Sequence, residues 1–433
     1  MTAIVGVLNS RAFVVAADSA VTVSGNNGKK VYNRSNKIFT LSKIHPVGIA
    51  IYSSADFLGI PLETIIKLYR QKLKESQFAT IKEYQRDFLD FLQSLVAGVS
   101  QEMKRDNFYA FCGQIYHPLI KKLLENVHAL TVQGLSPAEI DALYDDTVDH
   151  AIAEQRTYID GLNKSNYIDK DLREFTNFHS QQLSDIVLYI QNKIKEINPD
   201  YTVKQASVDS LYQMFHQMIN VEWIFESLNG LVFFGFGDDE IYPVTSQALI
   251  GSTICDLPRI RDLGESKIIP GVLNSNIQPY AQSDVTNTVL TGVDPNYISE
   301  METSIRSSFN DVSIAIGPHV EQAQLGAITG LINNIGEELI KKLNQFQFNT
   351  ITGPLLDILA HMGKEDMAEL AESLVNITSL KRKFTLSDSN DESVGGPVDV
   401  AVVTKGDGFI WIKRKHYFDM ERNTGFSEKY LKF

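Results

Sequence analysis

At roughly 150 residues per domain, a chain of 433 residues makes about two or three domains or one elaborated domain. Apolar residues make up 43% of it and charged residues 21%, an ordinary balance with ample material for a core. With 40 Lys plus Arg against 53 Asp plus Glu, the formal net charge of -13 argues against a dedicated nucleic-acid binder. No apolar run reaches the ~18 residues of a membrane helix, because Arg11 and Asp18 interrupt the first candidate. The opening MTAIVGVLNSRAFVVAADS also lacks the basic region and apolar stretch of a secretion signal. Cys112 and Cys255 are too few for a disulfide framework or a cysteine-based zinc site, and read as buried small hydrophobes. The expectation is a cytoplasmic protein with no membrane and no nucleic-acid partner.

The two ends of the chain read as strands. Thr2 to Leu8 and Ala12 to Ala17 are apolar runs split by the turn residues Asn9-Ser10-Arg11, a hairpin signal. Ser24 to Lys30 (SGNNGKK) has loop chemistry. Lys37 to Leu41 and Val47 to Ser54 read as two further strands. These runs are nearly continuous in hydrophobicity, so their sheet should be covered on both faces.

At Pro61 the period changes: Leu62, Ile65, Ile66, Tyr69 and Leu73 fall at helical spacing. Helical patterns continue to about Glu226, with breaks expected near Asn107, Gly134 to Pro137, Asn163 and Pro199. Ser136 with Glu139 three residues on is a capping box. Leu231 to Gly237 and Glu240 to Gly251 read as strands. Residues 252–300 are rich in Pro, Gly and Asn and give no clear pattern. Helical spacing resumes over Val312 to Phe346 and Lys364 to Ser379. The chain closes on Val398 to Thr404, the turn KGDG and Phe409 to Lys415, a second hairpin. No linker separates the two ends, so one sheet-forming unit can hold both.

Common catalytic motifs are missing. There is no HExxH helix and no G-x-S-x-G turn, and GNNGKK is too short between its glycines to cradle phosphate. The nine histidines form no pair at ligand spacing. Nothing calls for a metal or an organic cofactor.

The distinctive feature is Thr2, directly after the initiator, where a small residue permits removal of Met1. A mature chain beginning at Thr2 would carry a hydroxyl and a free α-amine on one residue. An α-amine with a pKa of about 7.7–8.0 is substantially neutral near physiological pH and can take the hydroxyl proton.

TAIVGV-turn-FVVAADS, then NKIF, then GIAIYSSADFLG, together with DESVGGPVDVAVVTKGDGF (Asp391 to Phe409), resembles the proteasome β-subunit and its bacterial relative, the HslV peptidase. Two matches at opposite ends and in the expected order carry the resemblance. It implies an α+β fold, the four-layer αββα sandwich of an N-terminal nucleophile (Ntn) hydrolase. Residues 2–433 would form one domain, with its sheet core from 2–56, 230–251 and 397–415. The helical segment 75–229 would be an insertion that the family lacks, and 416–433 a C-terminal tail.

Carried over by position, the resemblance makes Thr2 the nucleophile and Lys37 the lysine beside it. Asp18 is the carboxylate that holds the lysine charged, and Asp391 the late aspartate of the same network. Ser393 stands one residue before the family's serine position, which is Val394 here, so that hydroxyl is displaced or lost. Ser53, with Ser54, lies where a backbone N–H would line an oxyanion hole. The resemblance implies a threonine hydrolase that cleaves amide bonds, with a peptide or protein as substrate, and it leaves homo-oligomer assembly open. Two rivals remain: a catalytically silent structural or interaction protein, and a non-peptide amidase on the same fold.

Overall fold

The computed structural model describes residues 2–25, 28–32, 35–130, 134–222, 228–384, 395–416, 418–419 and 421–425. The chain opens with β1 (Ala3–Asn9), β2 (Phe13–Ala17), β3 (Val21–Gly25), β4 (Gly28–Tyr32), β5 (Ile38–Thr40), β6 (Val47–Ser53), β7 (Asp56–Phe57) and β8 (Ile60–Pro61). Helices follow: α1 (Leu62–Leu73), α2 (Ile81–Val96), α3 (Gln101–His128), α4 (Pro137–Asp160), α5 (Leu172–Phe178), α6 (Ser180–Lys195) and α7 (Gln205–Met218). Next come β9 (Asn229–Gly235), β10 (Val244–Ile254), β11 (Leu257–Lys267) and β12 (Ser275–Ala281). The last third holds α8 (Asp284–Thr291), α9 (Pro295–Ile316), α10 (Gln322–Gln347), α11 (Gly353–His361), α12 (Lys364–Phe384), β13 (Asp399–Thr404) and β14 (Gly408–Lys413).

The fold is α+β, with two antiparallel five-stranded sheets, ordered β12-β1-β2-β13-β14 and β11-β10-β9-β6-β5. Both terminal hairpins enter the first sheet, because β13 pairs with β2 in the register Asp399 to Ala17. Every residue of β1 and β2 is buried. Alternation sends successive side chains to opposite faces, and here both faces are covered, which is why the runs read as continuously apolar.

Val5, Val7, Val14, Ala16, Val400 and Val402 pack against Leu359 of α11 and Met367, Ala371, Leu374 and Val375 of α12. Ile4, Leu8, Phe13, Val15, Ala401 and Val403 meet Ile38, Ala50, Val232 and Phe234 of the second sheet. Phe13 stacks on Phe234 with ring centroids 4.7 Å apart. Gly48 makes this approach possible: a Cβ there would sit 2.3 Å from the Phe234 ring and 2.7 Å from that of Phe409. The opposite face of the second sheet, through Ile49, Leu231, Phe233 and Ile250, packs on Ile65, Ile66 and Tyr69 of α1 and Phe88 and Leu92 of α2. Full burial of each such side chain contributes about 1.5–3 kcal/mol.

Helices α3 to α7 gather a core of their own around Phe108, Phe111, Leu119, Tyr144, Phe175, Leu183 and Phe215, joined by Ile254 and Cys255 of the β10–β11 turn. The Ser136–Glu139 capping box opens α4 as its residues predict. The break expected near Asn107 does not occur. Asn107 lies inside α3, where its side-chain oxygen accepts the Thr253 N–H at 2.8 Å, a tertiary bond that outweighs weak helix propensity. The chain instead breaks just before α3, whose N-cap Ser100 accepts the Met103 N–H.

The unreadable stretch 252–300 contains β11 and β12, one edge strand of each sheet. Within the loop-like segment 24–30, Ser24 pairs with Lys29 and Gly25 with Gly28 in the β3–β4 ribbon. The single helical run expected over 312–346 is two helices, α9 and α10, parted at Gly317-Pro318. Among the described residues no helix is long and apolar enough to cross a membrane.

Candidate active site

The first sheet brings together, at one end, the residues that precede β1, follow β2 and β12, and lead into β13. Thr2 stands one residue before β1 and is 6% exposed. Its carbonyl accepts the Gln282 N–H from the end of β12 at 3.3 Å. On its other side Asp18 follows β2, and the Asp18 N–H donates to the Ala3 carbonyl at 3.1 Å.

The Asp18 carboxylate, 1% exposed, organises this end of the sheet. Its Oδ1 accepts the Ala3 N–H at 2.9 Å and the Lys37 ammonium at 2.6 Å. Its Oδ2 accepts the N–H groups of Ala20 and Gly395, each at 3.1 Å. A buried carboxylate is tolerable when charge-assisted bonds of this kind replace its water. Lys37 enters from the second sheet, one residue before β5, and its carbonyl accepts the Ile51 N–H of β6 at 2.9 Å. The lysine is 3% exposed. Burial pushes its pKa below the ordinary lysine value, the Asp18 charge and hydrogen bond oppose that shift, and the Lys415 charge adds to it.

The Gly395-Gly396-Pro397 segment closes the site. Gly396 has φ 78°, a left-handed conformation that suits glycine. The turn points the Gly395 N–H at Asp18 and its carbonyl at the Ser19 N–H, 3.0 Å away, while the Ser19 hydroxyl donates to the Pro397 carbonyl. Asp391, Ser393 and Val394 lie outside the described residues. Ser53 ends β6 at φ 71°, unusual for a residue with a side chain, and is exposed. The Ser54 hydroxyl caps the following turn, accepting the Asp56 N–H at 3.3 Å.

Two residues of the neighbourhood were not anticipated from sequence. Asp399, 2% exposed at the start of β13, pairs with the Lys415 ammonium and accepts the Lys415 N–H at 2.9 Å. The signal was Asp399 itself, because a carboxylate inside the buried run VDVAVVT requires a partner. Gln282, also buried, accepts from Arg382 of α12 at 2.9 Å and so ties the strand beside Thr2 to a helix.

The arrangement can hold an N-terminal residue by its backbone against a charged, desolvated lysine–carboxylate pair. Among the described residues no group of three or more His, Cys, Asp or Glu side chains is placed to hold a metal ion. Both cysteines are buried, and burial raises both thiol pKa values, that of Cys255 to about 11.

No family model and no curated protein matches the chain. Solved structures similar to it include an Anbu (Gly-1) mutant from Hyphomicrobium sp. strain MC1, at 9% identity and a TM-score of 0.28. Another is Anbu, described as an ancestral beta-subunit, from Yersinia bercovieri, at 10% identity and a TM-score of 0.27. Each alignment covers 99% of this chain and 94% of the other. These findings correct the expected membership of the proteasome β-subunit and HslV family: no family model carries it, and the solved structures named are Anbu proteins. The motif likeness at the two termini spans too few residues to assign a family. At these scores the Anbu likeness carries no argument either, so the functional reading rests on the geometry around Thr2.

Proposed function

We propose that the chain, once Met1 is removed, is a threonine hydrolase that cleaves amide bonds, peptide bonds foremost. The observation that supports this best is the Asp18 carboxylate, which binds both the Ala3 N–H directly after Thr2 and the Lys37 ammonium. That contact fixes the backbone of the nucleophilic residue and sets a positive charge in a desolvated place beside it. The charge disfavours protonation of the freed Thr2 amine, keeping it available as a base. Thr2 Oγ attacks the substrate carbonyl while the amine takes the hydroxyl proton. The amine then returns the proton to the leaving nitrogen, and water releases the acyl group from the threonine ester. The Ser53 backbone N–H at the end of β6 is the proposed donor to the tetrahedral oxyanion, with Ser54 beside the substrate.

Asp391 and Ser393 enter this reading from the sequence alone. On the same reading the two sheets and their covering helices are a four-layer αββα sandwich in one domain of residues 2–433, with the helices within 75–229 inserted in it and 416–433 a tail. The packing of α11 and α12 on one sheet and of α1 and α2 on the other supports it.

The test is intact-mass analysis of the purified chain, followed by incubation with an electrophilic peptide analogue. A chain lacking Met1 that gains one equivalent of the analogue, with no gain in a folded Thr2→Ala variant, is the expected result. Retention of Met1, or equal labelling of Thr2→Ala, would overturn the assignment.

A further inference from the structure

Helices α9 and α10 form an antiparallel hairpin that packs mainly on itself. Among its described residues only Ser313, Gly336 and Ile340 are buried. Polar bonds mark one side of the hairpin: Arg306 donates to Glu337 at 2.7 Å, and Asn344 donates to Glu302 at 3.0 Å. At about 100° per residue, the opposite side carries Tyr297 and Val312 of α9 with Leu331, Ile335, Leu339 and Phe346 of α10. All of these are exposed, Leu331 by 63% and Phe346 by 67%. A groove of about 420 Å³ along α9, lined in part by the small side chains of Ser304 and Ser308, continues the same face. Apolar residues scattered singly over a surface need no explanation, but a whole helical face of them does.

We propose that this face is the interface of a homodimer, in which the hairpins of two chains form an antiparallel four-helix bundle. Size and charge both point to a second copy. The helices are 22 and 26 residues long. They therefore run about 33 and 39 Å, and side by side they are roughly 20 Å wide, a face of roughly 650 Å². Two such faces bury about 1,300 Å², inside the ~1,200–2,000 Å² of a stable interface. Glu338 and Lys342 stand on the rim of this face, both exposed and neither in an ion pair among the described residues. A two-fold axis across the helices near residue 340 lays α10 antiparallel on its copy and sets Glu338 of each chain against Lys342 of the other. Phe309 abuts Gly336 and Glu302 bonds to Asn344, so that level of α10 matches about residue 305 of α9. The same axis then brings Tyr297 of one copy to Val312 of the other. A parallel pairing would instead oppose like charges at both rim positions. The proposal stands apart from the hydrolase reading, which uses no residue of the hairpin.

Sedimentation velocity of the full chain tests this. Over about 1–100 μM it should show a dimer of twice the 48.5 kDa chain mass. Leu331→Glu combined with Ile335→Glu, at positions exposed in the single chain, should give a monomer with unchanged circular dichroism. Glu338→Lys should weaken dimerisation about tenfold or more by setting lysines against one another, and adding Lys342→Glu should restore it. That rescue requires the partner to carry the same two substitutions, so it separates a second copy from any other protein. A monomer throughout the range would overturn the proposal and leave the face to a different partner. A dimer indifferent to the glutamate substitutions, or a double charge reversal that fails to rescue, overturns it equally.

Discussion

Asp18 Oδ1 receives the Lys37 ammonium at 2.6 Å across the junction of the two sheets, with both side chains almost fully buried. A buried pair of this kind gains its Coulomb energy against a desolvation cost of similar size, so its net contribution is small while its integrity is essential. The pair also joins strands that share no backbone hydrogen bond, since Asp18 follows β2 of one sheet and Lys37 precedes β5 of the other.

Removing one partner should therefore be far worse than removing both. Asp18→Asn strands the lysine charge in the interior and is expected to cost about 3–5 kcal/mol in urea unfolding. Lys37→Met in the Asp18→Asn background should recover much of that loss, and the double-mutant cycle measures the coupling. Additive losses would show that the pair does not act as a unit.

Acid should loosen the α3–α7 region before the sheets. Burial holds His179 at a pKa of about 4, below its ordinary 6.5, with its Nε2 accepting the Cys255 N–H at 3.1 Å. Above pH 6.5 the imidazole is neutral in both folded and unfolded chains. Between 6.5 and 4 the unfolded chain takes up a proton that the folded one refuses, so stability falls as pH falls. The full contribution is about 3 kcal/mol. Unfolding at pH 7.5 and 5.0 should show the loss, and His179→Gln should flatten it.

Ser53 holds φ 71°, a conformation that costs a residue with a Cβ about 1 kcal/mol or more. Ser53→Gly should leave stability unchanged or raise it by up to about 1 kcal/mol. Because the proposed role belongs to the backbone N–H, electrophile labelling should survive the change. A loss of labelling at full stability would move the role to the hydroxyl.

Gly326 and Gly330 sit inside α10, and a Cβ at either would meet nothing within 4 Å. Each should gain about 0.5–1 kcal/mol on replacement by alanine, and the two together should add. Thermal unfolding reads this directly, and a fall in stability would show that the open face is covered in solution.

The terminal hairpins and the α1 and α2 helices were legible because burial on both faces of a strand, or on one stripe of a helix, leaves a strong period in the sequence. Asp18 and Lys37 could be singled out only through the motif likeness, since each alone reads as a strand-end polar residue. One edge strand of each sheet was hidden. β11 carries Arg261, Asp262, Glu265 and Lys267 with its solvent side open, and β12 carries Pro279, which an edge strand accepts because its missing N–H need not face a neighbour. The Asp399–Lys415 pair was half legible: the buried carboxylate demanded a cation, but the sequence did not say which.

β1 lies between β2 and β12, two neighbours separated by roughly 260 residues of chain. At 5–20 residues per second, ribosomal synthesis delivers the second neighbour roughly 10–50 s after the first. Over that interval Thr2 lacks the Gln282 contact that helps to bury it, and the newly made end is open to an aminopeptidase. Closure of the sheet by β12 then sets a deadline for the Met1 removal proposed above, and on that reading a chain that folds faster than it is processed would be sealed without its free Thr2 amine.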